Sequence, residues 1–500
     1  MSFLKKLSKK DKKNNEKTTS SNDDKVGNSA EDQDYMDHVD FGKDGEALEP
    51  PEDKKKLWTK VSGLIGKDTM SLVSLPVYFF EPLTVLQSQV EPLRFVRLLE
   101  KACDLDNSID RLVYITAFNI ALFSSYVRTA KPFNPLLGET FEYIPKNGSY
   151  CTLSEQVSHH PPIGVCETSS ARFNLQQESW ITTKFWGNSV DIFSMGNNHL
   201  YLNDHNEHYS WKVPSSCCHN ILVGKMWVEH HGTLSIVNHV TGDKAIITFH
   251  KSGWFEGNAA RKISGEISDA NGKKKFLVSG RWNEYIVMTK LDDKGDKIDE
   301  FTIWKAGADP LEKTNKWKLG SFIQSLNEIN PDYEHILPPT DSRLRSDRRS
   351  LEAGDNKLAN KEKSRIEDRE REKRRERERT GKPFTPNYFK KVDDPQFGYR
   401  WLFNGEYWKE REMRIQKYDA EKSNNQALTD ISSLSMSDDV SVISTNTVSS
   451  SLSQGSSVAS MPTFVDESKT ADDMAADKRK SFNSAKPIYT NVVPIGQSSH

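Results

Sequence analysis

The chain has 500 residues, of which 35% are hydrophobic, and a formal net charge of -2. That balance excludes bulk electrostatic attraction to nucleic acid or to a membrane surface, so any anion binding has to come from local clusters. A mean hydropathy of -0.70 is low for a uniformly globular chain and assigns part of the length to disorder.

Residues 1–54 are polar, charged and poor in aromatics, and are expected to be disordered. The first residues lack an apolar core long enough for a secretory signal. The five cysteines (Cys103, Cys151, Cys166, Cys217 and Cys218) are odd in number and form no CxxC pair. They read as reduced thiols of a cytoplasmic protein. The longest apolar-leaning run, Tyr114 to Phe123, is too short to span a bilayer, so any work at membranes is peripheral.

A short amphipathic pattern follows. Leu57, Trp58, Val61, Leu64 and Ile65 cluster on one helix face, with Lys60 and Lys67 flanking. On its own the pattern fits an ordinary helix packed on a core. Residues 85–127 read as helical. From Phe141 to about Lys290 the pattern changes to short strands. Gly242-Asp243 between Thr233–Val240 and Ala245–His250 reads as a hairpin, and Asn271-Gly272 marks a second turn. Many short strands at regular spacing point to a sandwich or barrel. Between 361 and 380, 17 of 20 residues are charged, ten basic and seven acidic, without proline or glycine. Such a run is a solvated helix laced with i,i+4 pairs, and its interleaved acids would repel a nucleic acid. The aromatics from Phe384 to Trp408 return the chain to the domain. Residues 421–500 form a Ser-rich tail, expected to be disordered.

Two motifs stand out. Glu155-Gln156-Val157-Ser158-His159-His160-Pro161-Pro162 pairs two histidines with two prolines. Each proline fixes its own φ and restricts the residue before it, so His160 is expected to be extended and the two imidazoles to point apart. Lys131-Pro132-Phe133-Asn134-Pro135-Leu136-Leu137-Gly138-Glu139-Thr140 is the second. Adjacent histidines without a third ligand do not make a zinc site. Ser158 and His159 point apart on a strand, no GxSxG elbow exists, and no catalytic machinery is expected. Lys363, Glu367 and Arg371, spaced i, i+4, i+8, line one face of the charged helix.

These motifs, in this order, resemble the oxysterol-binding-protein family of lipid-transfer proteins. The resemblance runs from about Leu57 to about Glu412. Lys184-Phe185-Trp186-Gly187 and His219 to Lys225 are closest to short, sterol-type members without a pleckstrin-homology domain, for which the chain before Leu57 is too short. The resemblance implies an α+β fold over 55–420: a near-complete antiparallel β-barrel enclosing a lipid tunnel, an N-terminal helical lid at about 55–68, a helical layer, and a C-terminal α-helical region. It implies a phosphoinositide headgroup site of Lys131, Asn134, His159, His160, Lys363, Glu367 and Arg371, without cofactor or metal. Glu370 stands where the family usually has glutamine. The lid residues, Tyr126 and Phe133 are implied to face the sterol or acyl chain. Phe133 follows the sterol-type form, while Ser125 replaces the glutamine of one sterol binder.

The implied function is exchange of a sterol and a phosphoinositide, phosphatidylinositol 4-phosphate being the expected one, between membranes and at membrane contact sites. A lipid sensor or scaffold, or phosphatidylserine as second ligand, are the alternatives. Finally, Asp34, Tyr35 and Asp37 lie in an acidic stretch that resembles a degenerate FFAT motif, the peptide read by an endoplasmic-reticulum receptor. His38 stands where a small residue is preferred; a plain acidic disordered stretch is the alternative.

Overall fold

The computed structural model describes residues 65–66, 76–221, 224–251, 261–306, 317–331 and 334–435, with the backbone alone for 426–435. The expected lid therefore lies outside the described residues apart from Ile65 and Gly66, as does the acidic peptide around Tyr35.

A helical layer comes first, broken only by a short strand. Strand β1 (Phe80–Thr84) leads into α1 (Val85–Ser88), which Thr84 and Gln87 close with a reciprocal capping box. Helices α2 (Val96–Cys103) and α3 (Ser108–Ala121) follow, α3 capped by the Asn107 side chain. Nearly every residue of α3 from Arg111 onward is buried, because the helix packs against the inner face of the sheet. The outlier among its polar groups, Arg111, is satisfied by a two-pronged ion pair to Glu207 at 2.7 Å.

Strand β2 (Lys131–Phe133) pairs in parallel with β1. The sheet then runs through β3 (Thr140–Tyr143), β4 (Tyr150–His159), β5 (Pro162–Ser170), β6 (Phe173–Phe185), β7 (Ser189–Ser194), β8 (Asn198–Leu202) and β9 (Glu207–Trp211). It continues through β10 (Ser215–His219), β11 (Trp227–Asn238), β12 (Lys244–Phe249), β13 (Lys262–Ser268), β14 (Lys274–Arg281), β15 (Tyr285–Leu291) and β16 (Lys297–Lys305). These fourteen strands form one antiparallel sheet that curls into a near-complete barrel, with β3 and β16 at its ends. The long strands β6 and β11 each change partner half-way: β6 pairs with β8 and then β7, β11 with β10 and then β9. Those switches bend the sheet around the cavity. Both expected turns are present, joining β11 to β12 at Thr241-Gly242 and β13 to β14 at Asn271-Gly272, where each glycine has a positive φ.

After the barrel come α4 (Ser321–Ser325), α5 (Ser346–Glu352) and the charged helix α6 (Asn356–Thr380). Asp355 caps α6, and Gly381, in the left-handed region at φ 64°, ends it. The hairpin β17 (Phe389–Asp394) and β18 (Gly398–Phe403) and the helix α7 (Glu406–Ser435) wrap back over β4 and β5. Tyr388, Phe389, Trp401, Tyr407 and Trp408 pack there on Leu153, Val157, Ile163 and Val165. Buried Glu142 receives Tyr407 Oη at 2.7 Å and Arg411 Nε at 3.2 Å. The helix continues past residue 421, where the sequence pattern placed the start of the disordered tail.

Candidate functional site

A cavity of about 1250 Å³ opens between the barrel and α6, larger than the roughly 300–1,000 Å³ common for small-molecule sites. Its inner wall is apolar, with Ile181, Phe185, Val190, Ile192 and Val228 from the barrel strands. Its rim is basic. All seven residues expected at a headgroup site line it, although they come from three segments far apart in sequence.

The first segment is β2 and the loop after it. Buried Glu139 holds it in place: its carboxylate accepts Leu136 N at 2.8 Å, Ser342 Oγ at 2.6 Å and Arg345 Nη1 at 3.0 Å. Gly138 has φ +78°, and a Cβ there would come within 3.2 Å of the Phe384 ring. Lys131 Nζ donates to Asn134 Oδ1 at 2.6 Å. Lys131 is half-buried, and its remaining surface faces the cavity. Burial pushes its pKa down to about 7, and the neighbouring Lys363 adds to the shift.

The second segment is the tip of the β4–β5 hairpin. His159 pairs with Pro162, so His160 and Pro161 form a two-residue turn with a cis peptide between them. His160 is thus in a turn rather than extended. The two imidazoles do not point apart: they pack edge to face with centroids 4.8 Å apart. The turn overrides strand alternation. Burial lowers both pKa values, with His160 adding to the effect on His159 and Arg374 adding to that on His160. At neutral pH both rings are therefore mostly uncharged. Glu155, earlier in the motif, serves the scaffold. Its carboxylate accepts Asn387 N at 2.8 Å and Tyr388 N at 3.0 Å, tying β4 to the chain leaving α6.

The third segment is α6. Lys363 is buried and pairs with Glu367 at 2.6 Å, and Glu367 reaches Arg371 at 3.3 Å. Arg371 also pairs with Asp368. Lys131 and Lys363 lie over the same Phe80 ring, at 5.1 and 5.9 Å from its centroid. Two ammonium groups held over one ring, with one carboxylate between Lys363 and Arg371, form a site short of negative charge.

Tyr126 lines the inner cavity beside His230, whose Nε2 is 3.3 Å from Tyr126 O. Ser125 is buried, and its hydroxyl has no hydrogen-bond partner among the described residues. Phe133 reaches the cavity but is buried in the rim wall, with Phe80, Leu351 and Ala359, and has the Arg345 guanidinium 5.5 Å from its ring. Phe133 therefore braces the junction of β2 with α5 and α6, away from the barrel strands. Of the expected lid only Ile65 and Gly66 are described, both exposed, with Gly66 N donating to Phe185 O at 2.7 Å.

The sequence reading missed several lining residues. Arg374, Arg375 and Arg377 continue the α6 stripe past Arg371, a signal present in the helical spacing. Glu81 and Arg128 form a buried pair at 2.9 Å, extended by Glu91 at 2.7 Å from Arg128. Burial raises Glu81 to about 7 against the pull of Arg128. No local pattern marks those residues; only the fold brings them together. Among the described residues no group of three or more His, Cys, Asp or Glu side chains is placed to hold a metal ion. No described helix is long and apolar enough to cross a membrane, which says nothing about strands.

The family profile described as oxysterol-binding protein matches residues 56–412. The chain belongs to the oxysterol-binding protein family. Oxysterol-binding protein 11 of Dictyostelium discoideum is 59% identical over 385 residues, covering 76% of this chain and 67% of that one. Human oxysterol-binding protein-related protein 2 is 35% identical over 396 residues, covering 70% and 82%. The chain spans only 29% of the Saccharomyces cerevisiae homolog 2 and 39% of human related protein 3. Among solved family structures, the Osh1 ORD domain in complex with cholesterol superposes with a TM-score of 0.66 at 37% identity, covering 72% of this chain and 88% of that one. The Osh3 ORD of Saccharomyces cerevisiae in complex with PI(4)P superposes with a TM-score of 0.60 at 29% identity, covering 71% and 92%. Those family structures bind sterol and phosphoinositide, so lipid binding is the family's activity.

Proposed function

We propose that this protein exchanges a sterol for a phosphoinositide between two membranes and catalyses no reaction. One observation carries the reading: the basic rim and the apolar inner wall belong to a single continuous cavity. A phosphoinositide would seat its phosphates on Lys131, His159, His160, Lys363 and Arg371 and place an acyl chain along the inner wall. Asn134 and Glu367 would orient the basic groups and the inositol hydroxyls. A sterol would occupy the same wall without the rim. The two ligands then exclude each other, and a phosphoinositide gradient drives sterol transport by mass action.

The test is transfer of a fluorescent sterol from donor to acceptor liposomes, with and without phosphatidylinositol 4-phosphate in the acceptor. Acceleration by the phosphoinositide, lost in the His159→Ala/His160→Ala variant, supports exchange. Sterol transfer indifferent to both refutes it and leaves a simple carrier or sensor. No sterol transfer, with phosphatidylserine transferred instead, replaces the cargo.

A further inference from the structure

Charge is distributed unevenly along this chain. Residues 23–53 hold twelve carboxylates against two lysines, Lys25 and Lys43, a net charge of -10. Without them the chain's net charge of -2 becomes +8. Residues 1–22 hold seven lysines and two carboxylates, and residues 436–500 hold seven carboxylates and five basic residues, so neither of those stretches is strongly acidic. The domain carries the opposite charge on α6. Most exposed charges of that helix are paired: Glu362 with Arg365, Glu370 with Lys373, and Glu376 with Arg379. Exposed Arg374 and Arg375 and half-buried Arg377 depart from that rule. Among the described residues, Arg375 and Arg377 form no ion pair, and Arg374 has only Glu378 at 3.7 Å. On the α6 and β2 sides these three join Lys131, Lys363 and Arg371 against two lining carboxylates, Glu367 and Glu370. The acidic residues are tethered close by. Gly66 N donates to Phe185 O at 2.7 Å, and Phe185 lines the same cavity. The twelve-residue step from Asp53 to Ile65 spans up to about 40 Å. The basic stripe from Lys363 to Arg377 is only about 21 Å long and lies within that reach.

We propose that residues 23–53 dock on the basic face of α6 of the same chain and compete there with an anionic headgroup. The contact stands on charge complementarity and on the tether; the competition rests on the headgroup reading above. Guanidinium groups suit the role because each grips a carboxylate with two parallel N–H donors. A short tether gives an effective concentration on the order of 1 mM, so a contact with a dissociation constant of about 1 mM between separate molecules is about half occupied within one. A carboxylate carries one charge, whereas a phosphate monoester carries about -1.5 to -2 at neutral pH. The headgroup therefore displaces the segment rather than being shut out. Linkage makes the effect reciprocal: a basic partner that takes the acidic segment raises headgroup affinity by the factor the segment removes.

The test compares the full chain with Asp44→Asn/Glu46→Gln/Glu49→Gln/Glu52→Gln/Asp53→Asn, which halves the segment's net charge and changes no described residue of the domain. Zero-length carbodiimide coupling, mapped by peptide mass spectrometry, reads the contact. Wild type should couple carboxylates of residues 23–53 to Lys131, Lys363 or Lys373 within one chain. The yield should fall severalfold in the variant, and in 1 M salt, where the screening length is about 3 Å. Calorimetry at low salt with soluble inositol 1,4-bisphosphate reads the competition. The variant should bind about two- to threefold more tightly, the release from a segment seated half to two-thirds of the time. No coupling to those lysines, or coupling unchanged in the variant, overturns the contact. Coupling only between chains, as covalent dimers that grow with protein concentration, overturns docking within one chain. Equal headgroup affinity despite coupling overturns the competition. A gain seen with phosphatidylserine vesicles but not with the soluble headgroup assigns the segment to repelling membranes and overturns it as well. If neither protein binds inositol 1,4-bisphosphate or vesicles holding phosphatidylinositol 4-phosphate, the headgroup reading itself falls, and the coupling pattern alone decides the contact.

Discussion

Lys131 sets a stability cost against a binding gain, and that conflict can be measured. Its ammonium is held half-buried beside Lys363, and its pKa falls from 10.5 to about 7. At about 1.36 kcal/mol per unit, a shift of about 3.5 units sets a ceiling near 5 kcal/mol. Cavity water and partial exposure screen most of that, leaving about 1–2 kcal/mol. The sign follows from the folded pKa being depressed. Below pH 7 the folded state must bear the charge and the cost is full. It shrinks as pH rises from 7 to 10.5, and is gone above that. Lys131→Met removes the charge and also the bond to Asn134 and the contact with Phe80, losses of about 1 kcal/mol that vary little with pH until the lysine deprotonates. The assay is urea unfolding of the lipid-free protein at pH 6.5 and pH 9. The variant's stability relative to wild type should be about 0.5–1 kcal/mol more favourable at pH 6.5 than at pH 9, because pH 9 covers only part of the window from 7 to 10.5, while its phosphoinositide binding is lost. A stability difference that does not change with pH, or one that favours wild type more at pH 6.5, would refute the reasoning.

The same site makes other outcomes specific. His159→Ala/His160→Ala should weaken phosphoinositide binding by about 3–6 kcal/mol, since each lost charge-assisted bond is worth about 1.5–3 kcal/mol. Sterol extraction should persist, and its loss in a folded variant would count against separable sites. Phosphoinositide affinity should rise as pH falls from 8.5 to 6.5, because binding favours the charged forms of Lys131 and the two histidines, whose pKa values burial depresses. Below about pH 6 the phosphate loses its second charge and the gain should stop. A flat titration of affinity by calorimetry would contradict this. Arg128→Leu leaves Glu81 and Glu91 buried without their partner and should cost about 3–5 kcal/mol in denaturant unfolding; an unchanged midpoint would mean that the pair carries no weight. Truncation before Asp68 should speed release of both lipids, and unchanged off-rates would remove the lid.

Much of this architecture is legible in the sequence because local signals agree with the fold. The Gly242 and Asn271-Gly272 turns, the charged helix and the returning aromatics each rest on a pattern spanning a few residues. The headgroup constellation is harder, since Lys131, His159 and Lys363 meet only through the fold, and in the sequence only the family resemblance links them. Strand alternation failed at His160 because a two-residue turn, not the strand, decides where that ring points. Phe133 was placed by its motif, but packing against Phe80 and Arg345 carries it into the rim wall. Glu81, Arg128 and Glu91 left no trace, because a buried ion triad depends on two segments crossing and has no sequence period. Arg374, Arg375 and Arg377 were legible in the helical spacing, yet a mixed-charge helix normally spends such residues on surface pairs.

The central claim is that one cavity serves two lipids that exclude each other. The most direct measurement loads the protein with a fluorescent sterol and titrates phosphatidylinositol 4-phosphate at equilibrium, counting both lipids per protein. The account predicts stoichiometric displacement, with the sum never exceeding one lipid per chain. Sterol and phosphoinositide bound together on one chain would contradict it.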